Sequence, residues 1–197
     1  MRGVWPVLAL LGCFAGCANI EDISRENYRR GFLIDHPLTR ESVAVLPMWG
    51  KGDPRSYLPS AEGIFVNALK EMRPQIRLLA PSETRRTILE KGVDGAYRST
   101  EEAFISRRVV REEDIRRLGQ SLNVRFLLET DLDRVEVTEG ATLVRIRGQL
   151  WDAQTGDVVW EGTGEGTGYL FLVFPQTPAS FEKTVEVASR GLIRRLP

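Results

Sequence analysis

The chain has little of what most enzyme chemistry needs. It carries one histidine, His36, and two cysteines, Cys13 and Cys17, both close to the N-terminus. Without a second histidine a zinc site would have to rest on carboxylates, and the body of the chain holds no cysteine for a disulfide, a thiol nucleophile or metal ligation. There is no Gly-x-Ser-x-Gly elbow and no phosphate-binding loop. Net charge is lacking too: 27 basic and 27 acidic residues cancel, which argues against a dedicated nucleic-acid surface. Arg85-Arg86, Arg107-Arg108 and Arg116-Arg117 therefore read as solvated helix faces. The N-terminal apolar run, Val4 to Leu11, is shorter than the roughly twenty residues a membrane-spanning helix needs.

That same run carries information. Arg2 supplies a positive n-region, Val4 to Leu11 an apolar core, and Phe14-Ala15-Gly16-Cys17 a lipobox, so residues 1–16 read as a lipoprotein signal peptide and Cys17 as the lipidated residue. Ala15 and Gly16 are small enough for a signal-peptidase pocket. Leu10-Leu11-Gly12-Cys13 offers Cys13 as the alternative. Three acyl chains on the cysteine would make anchoring effectively permanent. Ala18 and Asn19 follow in place of an inner-membrane retention Asp, which points to the periplasmic side of the outer membrane.

Residues 17–41 are polar and mixed in charge, with Tyr28, Phe32, Leu33 and Ile34 as the sizeable apolar groups; they read as a tether of roughly 80 Å at full extension, part of which packs on the domain and shortens that reach. The body, 42–197, opens with Ser42 to Met48 as a short buried strand closed by Pro47. A Gly/Pro/Ser-rich loop, 50–60, follows. Ala61, Ile64, Phe65, Ala68, Leu69 and Met72 then recur at helical spacing before Pro74. Ile76 to Leu79 is a second strand, and Pro81 opens a helix stopped by Gly92. Ser99-Thr100-Glu101-Glu102 has capping-box spacing. Ile115, Leu118 and Leu122 mark a helix face over 111–121, and Val124 to Val137 reads as a strand. Leu143 to Trp151 alternates as a half-buried strand and turns through Asp152 to Asp157 into an antiparallel partner. Phe181, Val185, Ala188, Leu192 and Leu196 define a last helix.

Three segments are candidate sites. Asp131, Asp133 and Glu136, with Glu129 nearby, form the best acidic cluster. Residues 129, 131 and 133 share a strand face where they could meet a hard cation or a sugar, or pair with Arg145 and Arg147 on a solvated face, the stronger reading. Gly162, Gly164, Gly166 and Gly168 leave one strand face bare, which allows close approach of another backbone, an edge bulge or a flexible lead into the next segment; the functional version is a contact with a neighbouring subunit in a ring. Tyr169, Leu170, Phe171, Leu172, Val173 and Phe174 put large apolar groups on both faces of a strand. They are the candidate interaction surface, toward another subunit, lipid or the chain's own helix.

Val43-Ala44-Val45-Leu46-Pro47, the amphipathic helix after it, Leu122 to Leu128, and Leu150-Trp151-Asp152-Ala153-Gln154-Thr155-Gly156 occur in an order that resembles the CsgG-like, PelC-like and LpoB-like bacterial envelope lipoproteins. The resemblance spans roughly residues 42–196. It implies a single α/β domain, a small mixed β-sheet flanked by helices and similar to an anticodon-binding-domain-like fold. It also implies no enzymatic activity, no cofactor and no metal. The partners implied are the membrane through the N-terminal lipid and an envelope protein or further copies of the chain, with no nucleic acid and no small-molecule substrate. The function implied is assembly in envelope export or secretion, of the curli or polysaccharide-export kind. The chain is shorter than the curli channel, and it lacks the long Pro-rich tether of the peptidoglycan-synthase activators. Two alternatives stand beside that reading: an accessory activator of a peptidoglycan synthase, and a small envelope hydrolase using Asp131 and Asp133.

Overall fold

The computed structural model describes residues 18–35, 38, 41–50, 53–106, 109–170 and 177–197. In chain order the elements are β1 (Ala18–Asp22), β2 (Arg25–Arg29), α1 (Phe32–Asp35), β3 (Ser42–Val45), α2 (Leu58–Met72), β4 (Arg77–Leu79), α3 (Pro81–Glu90) and α4 (Asp94–Ile105). They continue as α5 (Glu112–Leu122), β5 (Phe126–Val137), β6 (Thr142–Asp152), β7 (Asp157–Leu170), β8 (Thr177–Pro178) and α6 (Phe181–Arg195). Among the described residues the strands form one eight-stranded mixed sheet in the order β1-β7-β6-β5-β3-β4, with β2 and β8 also on β7. The β5, β6 and β7 strands run antiparallel, whereas β3 lies parallel to both β4 and β5. Among the described residues no helix is long and apolar enough to cross a membrane.

Because successive side chains leave opposite faces of a strand, the short apolar runs feed two cores. Val43, Val45, Phe126, Leu128, Ile146 and Leu150 face one way, onto Phe65 and Leu69 of α2 and Val185, Ala188 and Leu192 of α6. Ala44, Leu127 and Trp151 face the other, onto Ile88, Ala96, Ile115 and Leu118 of α3, α4 and α5. The helix ends are set by local chemistry. Ser180 caps α6 by accepting from the Lys183 amide at 3.4 Å, and three acids occupy the first turn of α5, where the helix dipole favours them. At the far end of α6, Arg73 donates to the carbonyls of Ile193 (3.2 Å) and Leu196 (2.5 Å), satisfying groups that a helix terminus leaves open.

Two expectations are corrected. Ser99 to Glu102 do not open a helix but lie inside α4. Packing of Val93, Ala96 and Thr100 against the second core starts the helix at Asp94, and the Thr100 hydroxyl turns back onto the Ala96 carbonyl at 3.0 Å. The second concerns the extent to which the tether docks: packing of part of it is as expected, but its polar residues pack as strands too. Residues 18–29 form β1 and β2, both antiparallel to β7, and Leu33 and Leu38 are buried in the first core. The long β7 would otherwise leave an open edge. A polar strand with exposed side chains covers that edge, and in sequence such a strand resembles solvated linker.

The expected hairpin between β6 and β7 is present. Gly156 sits at φ +84°, and its amide donates to the Asp152 carbonyl at 2.7 Å. A Cβ there would also come within 2.8 Å of the Glu112 backbone at the start of α5. Gly156→Ala is expected to cost about 1–3 kcal/mol from positive-φ strain and crowding together, read as a lower midpoint in urea with the same slope.

Candidate functional site

One end of the sheet gathers the features on which the sequence reading turns. Ala18 pairs with Leu170 and Asn19 with Tyr169, so the chain leaves Cys17 directly into a strand that lies beside the start of the apolar segment. Thr142 pairs with both Gly168 and Val137, which brings the β5–β6 connection to the same end, and Val137 is 59% exposed there. Tyr169 is half-buried and Leu170 closes β7. Cys13, Cys17, His36 and Phe171, Leu172, Val173 and Phe174 lie outside the described residues.

The glycine run on β7 has a specific use within the chain. A Cβ on Gly164 would collide with the Ala188 carbonyl, and one on Gly166 would sit 2.7 Å from the Thr184 carbonyl. Gly164 and Gly166 are therefore bare so that the backbone of α6 can lie on β7, whereas the space at Gly162 is taken by the Trp160 ring and the Leu192 side chain and that at Gly168 by Ile20 and Ala179. The close approach expected from sequence is made by α6, which occupies the face that a neighbouring subunit would otherwise have used.

On the opposite face of β5, β6 and β7 the charges interleave. Arg147 binds Asp131 through Nε at 3.1 Å and Asp133 at 3.0 Å. Arg145 binds Glu165 at 2.6 Å, which raises the Arg145 pKa through that hydrogen bond. The pairing of aspartates with arginines is as expected. The solvation is not: Asp131 is 2% exposed and Glu129 likewise, because α4 and the Trp49 segment cover that end of the face. Trp49 meets Phe104 of α4 edge-on with ring centroids 4.5 Å apart. Held by Arg147, Asp131 and Asp133 are not poised as an acid–base pair. Among the described residues no group of His, Cys, Asp and Glu is arranged to hold a metal ion.

Glu129 is the residue that sequence reasoning undervalued. Burial pushes its carboxyl up to about 8; the Trp151 indole, which donates to it at 3.2 Å, works against that rise, and the charges of Asp131 and Glu101 add to it. Its signal in sequence was faint, an acid flanked by Leu127, Leu128 and Leu132. Beside it lies a groove of about 560 Å³ between the sheet and the α4–α5 connection. Phe104, Val110 and Trp151 form its apolar walls, and Gln149 and Glu161, hydrogen-bonded at 2.9 Å, lie on its floor.

Comparison with known proteins gives a likeness in fold. A PelC dodecamer structure from Paraburkholderia phytofirmans matches with a TM-score of 0.52 at 16% identity, over 89% of this chain and 98% of that one. Lipoprotein GNA1162 from Neisseria meningitidis matches at 0.46 and 14%, over 65% of this chain and 83% of that one. The LpoB C-terminal domain from Salmonella enterica matches at 0.44 and 13%, over 68% and 88%. No family model and no curated protein sequence matches the chain. The PelC likeness takes in nearly the whole of both chains, and at this identity it establishes the fold: a mixed sheet flanked by helices.

Proposed function

We propose that the protein is a non-enzymatic lipoprotein, lipidated at Cys17 and anchored to the periplasmic side of the outer membrane, that acts by protein–protein assembly in envelope export or polymer secretion. The observation that carries this reading is the shared fold with a PelC dodecamer over 98% of the PelC chain, joined to a lipobox that ends one residue before β1. Direct passage from the lipid anchor into the sheet sets the end bearing Ala18, Leu170 and Val137 against the bilayer. Tyr169 to Phe174, which continue the sequence from that end, are the proposed apolar surface toward lipid, since aromatic groups are favoured at a membrane interface.

Radiolabelled palmitate supplied to expressing cells tests the anchor. Incorporation is expected into wild type and Cys13→Ser, and is expected to be lost in Cys17→Ser together with membrane fractionation. Labelling that survives in Cys17→Ser and disappears in Cys13→Ser would move the anchor. Labelling of neither cysteine would remove the lipoprotein reading. For the apolar surface, Phe171→Ser combined with Phe174→Ser is expected to weaken vesicle binding of the unlipidated protein at least about tenfold, with the melting temperature kept. A large loss of melting temperature in that variant would assign the segment to the core instead.

A further inference from the structure

The first residues of the described chain are attached differently from everything that follows them. Among the described side chains of β1, β2 and their junction, Ser24 alone is buried, while Ile23 and Tyr28 are 53% and 43% exposed. Ile20, half-buried beside Gly168, is its apolar contact; the other side-chain attachments are polar. Asp22 pairs with Arg194 at the end of α6, the Ser24 hydroxyl accepts from the Glu165 amide at 3.1 Å, and Asn27 donates to the Thr163 hydroxyl at 2.9 Å. Arg30 pairs with Asp157 at 2.7 Å, both side chains more than a third exposed. Such pairs on a surface contribute little net stability. Immediately beyond, Leu33 and Leu38 are 1% and 0% exposed within the first core. Between the two regimes stands Gly31, exposed, with open space where a side chain would be.

We propose that residues 18–30 are a releasable strap hinged at Gly31. Docked on β7, the strap holds the body flush against the membrane; undocked, it becomes the tether that its composition resembles and lets the body move away while Leu33 and Leu38 keep the core closed. This rests on anchoring at Cys17. Fully extended, residues 18–30 would span roughly 45 Å. Release exposes the outer edge of β7 and takes from the Trp160 indole its Glu26 partner at 3.3 Å, and redocking restores that bond and the ladder of backbone bonds. An edge strand with few apolar contacts belongs to the part of a structure that opens first.

Two variants shift the strap in opposite directions. A Cβ at residue 191 would strike Asp22 and Ser24 at the bend between β1 and β2, so Gly191→Ala pushes the strap off while favouring α6 itself. Glu21 and Thr167 are opposed in antiparallel register, at a spacing that a disulfide can bridge, so Glu21→Cys with Thr167→Cys locks it. Hydrogen exchange on the full-length lipidated protein in bilayer nanodiscs should show peptides 18–30 exchanging on the order of 100-fold faster than those of β5 and β6. Gly191→Ala should raise that rate further with β5 and β6 unchanged, and the disulfide should bring it down to theirs. Exchange of 18–30 in step with β5 and β6 in the wild-type protein would overturn the strap.

Neutron reflectometry on a supported bilayer reads the second half of the proposal. The centre of the body is expected to stand farther from the bilayer in Gly191→Ala than in the locked form. Fast exchange combined with equal heights overturns the reach and points to an anchor elsewhere than Cys17. Fast exchange should persist in Cys17→Ser in solution, which separates failure of the strap from failure of the anchor.

Discussion

Gly164→Val is expected to force α6 off the sheet and to lower the melting temperature by roughly 10 °C, from overpacking of about 3 kcal/mol or more. The site has no slack. Even a Cβ at residue 164 would collide with the Ala188 carbonyl and lie 2.8 Å from the Leu192 side chain, so the added bulk meets helix backbone and not the end of a flexible side chain. Displacing α6 would also open the contact through which Val185, Leu192 and Ile193 close the first core. Gly63→Val is a useful contrast on α2, because open space surrounds that glycine. It should leave stability unchanged or raise it by under about 1 kcal/mol, because Val is a better helix former than Gly. A melting temperature for Gly164→Val within a degree or two of wild type would show that α6 does not rest on the glycine strand as described.

The second large effect is a change in how stability depends on pH. Glu129 titrates near 8 in the folded protein, above its ordinary value of 4.5, chiefly because burial disfavours the charged carboxylate. Between those values the folded state keeps a proton that the unfolded chain gives up. Its contribution to stability is therefore fully present below pH 4.5, falls as pH rises, and levels off above about 8. Glu129→Gln keeps an oxygen to accept from the Trp151 indole and removes the titration. It should stabilise the protein at pH 8 by on the order of a few kcal/mol, with little gain at pH 4.5. Urea unfolding at both pH values reads this directly. Equal gains at the two values, or none at either, would mean that Glu129 is not held protonated in the fold.

What the sequence disclosed follows its periodicities. The amphipathic stripe from Ala61 to Met72 and the alternation from Val144 to Leu150 appear as α2 and β6, because in both the spacing of apolar residues matches the face that is buried. The bare glycine face of β7 was legible, with close approach of backbone as one of three readings beside an edge bulge and a flexible lead, though not that α6 would make it. Residues 18–29 were not legible as strands, since an edge strand buries too little to print an apolar pattern. Ser99 to Glu102 misled for the opposite reason: a local motif was overridden by burial of Ala96 and Thr100. Glu129 escaped because strand alternation assigns it to the polar face, and only the overlying α4 and Trp49 make that part of the face dry. The groove beside Trp151 likewise depends on where α4 and α5 come to rest, which no local pattern records.

Assembly at the membrane is the central claim, and the native mass of the full-length lipidated protein in mild detergent tests it most directly. Light scattering after size exclusion, run beside Cys17→Ser, should give a discrete high-order oligomer for the lipidated form, unchanged on tenfold dilution. A clean monomer at every concentration would contradict assembly and favour an accessory protein that acts on a separate enzyme partner.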